Sequence, residues 1–217
     1  MYQVSKGFFR KLGLLLAVIM VVGTLFAAPG VNPAGAAVSP ADSAIKFLHN
    51  EYTTNGLVNA DDGVGSYALY VLIQAGVDVA TWEYEGTSLD EAVIIAISDD
   101  ISKAADPSKV PAKRLAQDLA AAVALGEDGL ADQLAQILQD RESSAGFDGS
   151  PYSDIPAYDL LGRVGKLSVA DESYAKGCIL SAQNTSVSDA AYGSFGSTWD
   201  EVFYPDFMTT AQAVRVL

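Results

Sequence analysis

Six aromatic rings stand among four carboxylates near the end of this chain. Tyr192, Phe195, Trp199, Phe203, Tyr204 and Phe207 are interleaved with Asp189, Asp200, Glu201 and Asp206. Ring faces beside carboxylates suit sugar rings, apolar polycycles or a protein partner. The same rings would also serve to pin a long loop against helix ends. Phe147, in Gly146-Phe147-Asp148-Gly149, is an earlier ring in similar surroundings. We take Tyr192, Phe195, Trp199, Tyr204 and Phe147 as the candidate ligand-binding residues.

The acid pairs Asp61-Asp62 and Asp99-Asp100, and Asp189 with Asp200, have the chemistry for acid catalysis or calcium, which prefers clustered oxygen ligands. Acids in loops and helix caps are the commoner outcome. The single histidine, His49, lies in a helical stretch with no partner placed nearby, so a structural role is the simpler reading. Cys178 is the single cysteine, which rules out an intrachain disulfide framework and any multi-cysteine zinc site. At a helical apolar position it reads as a small core residue. The sequence therefore points to no catalytic set, no metal ligands and no cofactor. Asn184-Thr185-Ser186 is a glycosylation sequon.

Something must hold these residues, and composition allows a sizeable core: the chain has 217 residues, half of them hydrophobic. Its net charge is -14. Lys6, Arg10 and Lys11 are three of the 13 basic residues, and residues 1–36 hold none of the 27 acids, so the remainder carries -17. Such a surface repels phosphate backbones and anionic lipid heads, which excludes nucleic acid as a natural partner.

Those three bases precede an uncharged apolar run from Leu12 to Phe26 and the exit Ala34-Gly35-Ala36, the pattern of a secretory signal peptide over residues 1–36. About fifteen apolar residues fall short of the roughly 20 that span a bilayer, so membrane contact is expected only through this export signal. No cysteine follows the run, which excludes a bacterial lipoprotein. The expected location is secreted or at the extracellular cell surface.

Residues 37–217 read as helices in pairs. Ser39-Pro40-Ala41-Asp42 opens the first with a capping serine, and Ala41, Ile45, Leu48 and Tyr52 share its inner face. The second runs from about Val64 with Tyr67, Ala68, Val71, Leu72 and Ala75 inward, and closes at Gly76. Ser88-Leu89-Asp90-Glu91 has capping-box spacing for the third, Pro111 begins the fourth, and Gly126 ends it. A third pair carries Leu130, Leu134, Ile137 and Leu138, then a helix from about Pro156. In the fourth pair Ser168-x-x-Asp171 caps a helix over 169–183, and after a long polar loop a last helix starts near Asp206. First helices thus begin near residues 40, 88, 129 and 169, a period of roughly 40 to 50 residues, the range of paired-helix arrays. The chain stops in the apolar run at Val216-Leu217, which reads as truncation at the C-terminus of a longer array.

Three stretches carry a resemblance. Leu180-Ser181-Ala182-Gln183, then Gly193-Ser194-Phe195-Gly196, then Thr209-Thr210-Ala211-Gln212-Ala213-Val214 resemble the repeat of the α/α-toroid family. That family includes the terpene (squalene and hopene) cyclases, the protein prenyltransferase β-subunits and the cobalamin carriers. Gly146-Phe147-Asp148-Gly149 is similar to the same loop, and Asn55-Gly56 is a faint copy. The resemblance implies an all-α fold of stacked antiparallel helical hairpins, a partial toroid of about four. The cyclases' Asp-x-Asp-Asp acid motif has no counterpart here, and His49 and Cys178 fall in different repeats, unlike the prenyltransferase zinc ligands. The leading expectation is a secreted or surface binding module for a small molecule, glycan or protein. The alternatives are a terpene-cyclase-like or carbohydrate-active enzyme of the toroid class, and a structural spacer.

Overall fold

The computed structural model describes residues 39–57 and 64–217. The expected leader and the pair Asp61-Asp62 lie outside the described residues. Chain contacts separate a unit ending at Asp42 from one spanning Ser43 to Leu217, and the second holds nearly everything that follows. At the start of the first helix the Asp42 N–H donates to Ser39 Oγ at 3.0 Å, so the serine caps as its position predicts.

The fold is all-α. Its helices are α1 (Pro40–Asn55), α2 (Val64–Gln74), α3 (Leu89–Lys103), α4 (Ala112–Leu125), α5 (Asp128–Arg141), α6 (Pro151–Arg163), α7 (Glu172–Ser181) and α8 (Phe207–Val216). Two small antiparallel hairpins interrupt the series: β1 (Glu83–Tyr84) with β2 (Thr87–Ser88), and β3 (Gly196–Trp199) with β4 (Val202–Pro205). The even-numbered helices form one row, with α2 on α4, α4 on α6, and α6 on α8. The odd-numbered helices α3, α5 and α7 lie over that row.

Pairing within the layers differs from the sequence expectation. α5 packs chiefly on α4, the helix before it, and α7 on α6, instead of each closing against the helix that follows. Connection length explains this. Only Gly126 and Glu127 separate α4 from α5, and Gly126 takes the left-handed conformation (φ 77°) that turns the chain back at once. The links after α5 and α7 are long and carry loops of their own.

Position in the row decides composition. α4 is covered by α2, α3, α5 and α6, and Ala116, Ala120, Ala121 and Ala122 are all buried beside Leu115 and Leu119. Small side chains let several neighbours approach one helix closely. α6, between α4 and α8, buries Ile155, Tyr158 and Leu161. By contrast α1 buries only Tyr52 along its length. It is fastened by the Tyr52 hydroxyl, which donates to the Thr87 carbonyl at 2.9 Å, and by the His49 ring edge-on to Trp82 at 5.0 Å.

Three boundaries or faces correct the sequence reading. In α2 the buried residues are Ser66, Leu69 and Leu72, while Tyr67 and Val71 are exposed. The helix is rotated so that the Ser66 hydroxyl reaches Asp118 Oδ1 at 2.6 Å, a bond that periodicity of apolar residues does not anticipate. α6 begins at Pro151, five residues before Pro156, because Asp154 accepts from the backbone N–H groups of Asp148 (2.8 Å) and Ser150 (3.1 Å) and anchors an earlier first turn. α7 begins at Glu172, and its cap is Asp171, which accepts from the Ser173 and Tyr174 N–H groups; the Ser168 region forms a separate 3-10 turn over Leu167–Val169.

Candidate functional site

The long polar loop between α7 and α8 contains a β-hairpin. Its register pairs Gly196 with Pro205, Ser197 with Tyr204, Thr198 with Phe203 and Trp199 with Val202. The turn residues Asp200 (φ 47°) and Glu201 (φ 65°) are both left-handed, the geometry of a tight two-residue turn, without the glycine or asparagine that normally signals it. Because strand side chains alternate, Ser197, Trp199, Val202 and Tyr204 share one face, and Thr198 and Phe203 the other.

The hairpin is tied to the helices through its first residues. Gly196 N–H donates to the Ala182 carbonyl (3.1 Å), Asp206 N–H to the Phe195 carbonyl (2.9 Å), and Phe195 N–H to Thr210 Oγ1 (3.0 Å). Thr210 Oγ1 in turn donates to the Phe195 carbonyl at 3.2 Å. Gly196 has to be glycine: a Cβ there would overlap the Tyr204 carbonyl oxygen across the strand pair.

Beneath the hairpin is a cleft of about 420 Å³, bounded by the N-terminus of α6, the C-terminal end of α7 and strands β3 and β4. Ser181, Thr185, Ser186, Ser197 and Thr198 are among the residues that line it. The amides of Gln183 and Asn184, the Phe203 ring and the Cys178 thiol complete the polar and apolar sides, with no formally charged side chain among the lining residues. Asn184 is buried; its oxygen accepts from the Ser186 N–H at 3.0 Å. Its nitrogen leans towards Asp189 without closing a hydrogen bond. That burial withdraws the sequon asparagine from solvent. Burial, then the neighbouring Asp154 carboxylate, pushes the Cys178 thiol up to about 12, which disfavours the thiolate.

The five candidate residues separate. Trp199 (71% exposed) and Tyr204 (52%) stand on the outer face of β3–β4, diagonal to one another. Phe195 and Phe147 are core residues, at 2% and 5% exposure, and Phe147 packs on the Tyr158 ring at 4.6 Å. Tyr192 is exposed, on a separate turn closed by its N–H to the Asp189 carbonyl. Of the five, the structure buries Phe147 and Phe195, the first under a loop held through the Asp148 and Asp154 carboxylates, the second under one held by backbone bonds and Thr210 Oγ1. Tyr152, which sequence reasoning passed over, joins the outer face, with its hydroxyl 3.1 Å from Ser197 Oγ. It lay in a stretch read as loop, and only the early start of α6 brings it to the hairpin.

Of the acid candidates, Asp99 and Asp100 each form an ion pair. Asp99 pairs with Lys103 on the surface at 2.5 Å. Asp100 is buried and accepts both the Nε and an Nη of Arg114. Beside it Asp118, 1% exposed, takes the Ser66 bond on one oxygen and leaves the other without a hydrogen bond. Burial, with Asp100 next to it, raises Asp118 to about 8 against the lowering effects of Ser66 and Arg114. Asp148 accepts from the Ala112 N–H (2.5 Å), the Ser153 hydroxyl (2.6 Å) and Arg141 (3.2 Å). Asp159 holds Arg215 through two bonds, at 2.7 and 2.8 Å, and Arg163 at 3.2 Å. Among the described residues, no group of three or more His, Cys, Asp and Glu side chains is placed to hold a metal ion. None of the helices described is long and apolar enough to cross a membrane.

No protein-family model, curated protein or solved structure matches this chain.

Proposed function

We propose that the chain is an exported binding module of the cell surface, built as an open arc of an α/α toroid, with its ligand held at the loop end of the fourth hairpin. The observation that carries binding is the uncharged cleft beneath a hairpin that presents Trp199 and Tyr204 to solvent. Contiguous exposed apolar surface marks interaction sites, and Trp199 and Tyr204 are diagonal neighbours on one face.

Support for the arc comes from the row of even-numbered helices, in which α2 packs on α4, α4 on α6 and α6 on α8. Support for a toroid repeat is a glycine-bearing loop whose ring enters the core twice, Phe147 in Gly146-Phe147 and Phe195 in Gly193-Ser194-Phe195. Export rests on the leader sequence.

One observation favours the enzymatic alternative: Asp118 keeps its proton to about pH 8, as a general acid would need to. Its 1% exposure, within the packing of α2, α3 and α4, argues for a structural proton instead. Incubating the purified chain with squalene and with soluble polysaccharides, followed by product chromatography, separates the readings. Unaltered material retained by the protein supports a binder, while cyclised or shortened products would overturn it.

A further inference from the structure

We infer that the outer face of the β3–β4 hairpin docks a basic segment of a partner protein, with its Arg or Lys side chains over the Trp199 and Tyr204 rings and against the turn acids Asp200 and Glu201; this deepens the binding reading and rests on it. The cleft takes no part, since Thr198 and Phe203, which line it, lie on the opposite face of the strands. Ser197–Tyr204 and Trp199–Val202 are alternate cross-strand pairs on the outer face, which brings the Tyr204 and Trp199 rings diagonally together. Tyr152, 45% exposed, adjoins them through its contact with Ser197. Between positions 199 and 208, Trp199, Val202, Tyr204, Phe207 and Met208 are all exposed, a denser run than the single apolar side chains scattered over an ordinary surface. An open face encloses no small molecule, so its occupant is macromolecular.

Charge selects the partner. Residues 177–214 contain Asp189, Asp200, Glu201 and Asp206 and no Lys, Arg or His. Asp189 and Asp206 accept backbone N–H bonds from Ala191 and Thr209, and the buried Asp100 and Asp159 each hold an arginine. Among the described residues, no ion pair or side-chain hydrogen bond engages the Asp200 or Glu201 carboxylate. Both also occupy left-handed positions where Asn and Gly are favoured, so the turn would be easier to make without them. A neutral ligand gives no reason for that choice, because asparagine suits the conformation better and hydrogen-bonds a hydroxyl as well. What Asp and Glu add is negative charge. A guanidinium or ammonium uses both features at once, stacking on an electron-rich ring while pairing with a carboxylate. The charge of -17 on residues 37–217 steers such a partner in and repels a second copy of the chain, nucleic acid and anionic lipid.

Fluorescence anisotropy of labelled poly-L-arginine titrated with the full chain, at about 0.15 M salt to suppress diffuse attraction, tests this, with labelled hydroxyethyl cellulose as the neutral comparison. Poly-L-arginine is expected to bind, and Trp199→Ala to weaken binding at least about tenfold, the loss typical of a central aromatic contact. The double variant Asp200→Asn/Glu201→Gln should lose about as much. Removing two exposed acids elsewhere, by Glu83→Gln/Asp132→Asn, should cost less than about twofold. Trp199 is exposed and asparagine accepts the left-handed turn, so melting temperatures should stay at or above that of the parent and exclude misfolding as the cause. No binding of poly-L-arginine, binding indifferent to Trp199→Ala, or equal losses in the two double variants would overturn the proposal. Hydroxyethyl cellulose bound through Trp199 and indifferent to loss of the turn acids would also overturn it, yet leave the binding-module reading intact. Turnover of that polymer or of squalene would end both.

Discussion

The second hairpin and the fourth spend their polar groups in opposite ways. Around α3 and α4, polar side chains are buried and matched to one another: Arg114 on Asp100, and Ser66 of α2 on Asp118. Between α7 and α8, backbone groups do most of the fastening, helped by the Thr210 hydroxyl, and the large side chains Trp199, Val202 and Tyr204 face solvent. A region knitted by its side chains has none to spare for a ligand. One held by its backbone keeps them free. If this contrast is right, substitutions in the first region should change stability with no effect on binding, and exposed substitutions in the second should do the reverse.

The largest effect is expected at Arg114. Arg114→Ala leaves the Asp100 carboxylate buried without its cation, a change that costs about 3–5 kcal/mol. Urea or thermal unfolding should show a loss of that order, whereas removal of the exposed Lys103, partner of Asp99, should cost under about 1 kcal/mol. Comparable losses at the two sites would break the contrast.

Asp118 gives the next effect and a signature in pH. Its folded pKa, about 8, lies above the ordinary aspartate value of 3.8. The unfolded chain releases this proton above about pH 4, while the folded chain retains it. The contribution is therefore fully present below pH 4 and is lost progressively up to about pH 8. One pKa unit corresponds to about 1.4 kcal/mol, so a few kcal/mol are at stake across that window. Asp118→Asn keeps the acceptor for Ser66 and cannot ionise. It should leave stability at pH 4 nearly unchanged, raise it at pH 8, and flatten the slope between them. An unaltered pH profile would show that Asp118 ionises freely in the fold.

Much of this was legible in the sequence, and the gaps share a cause. Helical periodicity and caps located the eight helices among the described residues, because each rests on local spacing such as Leu89, Val93 and Ile97 in α3. The pairing of α5 with α4 was encoded in the brevity of Gly126-Glu127, a cue about connection length that a count of repeats overrides. What stayed hidden depended on contacts between distant residues. The rotation of α2 follows from Ser66 meeting Asp118, fifty-two positions away. The β3–β4 turn is made by Asp200 and Glu201 in a conformation glycine usually supplies, so the alternation around it read as loop. The split of the candidate rings follows from that missed hairpin: its register alone decides that Trp199 and Tyr204 face out together.

Gly196 tests whether the hairpin is built as a unit. A Cβ at this position runs into the Tyr204 carbonyl, a backbone atom with no rotamer to escape through. Gly196→Ala should therefore destabilise by about 1–3 kcal/mol, the range of overpacked sites, and disturb the cleft and the ring face together. A variant with parent-like stability would mean the strands separate without cost to the rest.

The smallest effect on stability, and the sharpest test of the contrast, belongs to Trp199. At 71% exposure its ring buries little apolar surface, so Trp199→Ala should alter unfolding free energy by no more than about 0.5 kcal/mol, as for other exposed sites. Tryptophan is among the most hydrophobic side chains, and leaving it in water contributes nothing to the fold that holds it there. Its cross-strand partner Val202 is itself 53% exposed, so the pair supplies only a modest part of hairpin stability. A measured loss well above 1 kcal/mol would place Trp199 among the fastenings of the loop, alongside Phe195, and remove the physical ground for treating it as a residue kept free for a partner.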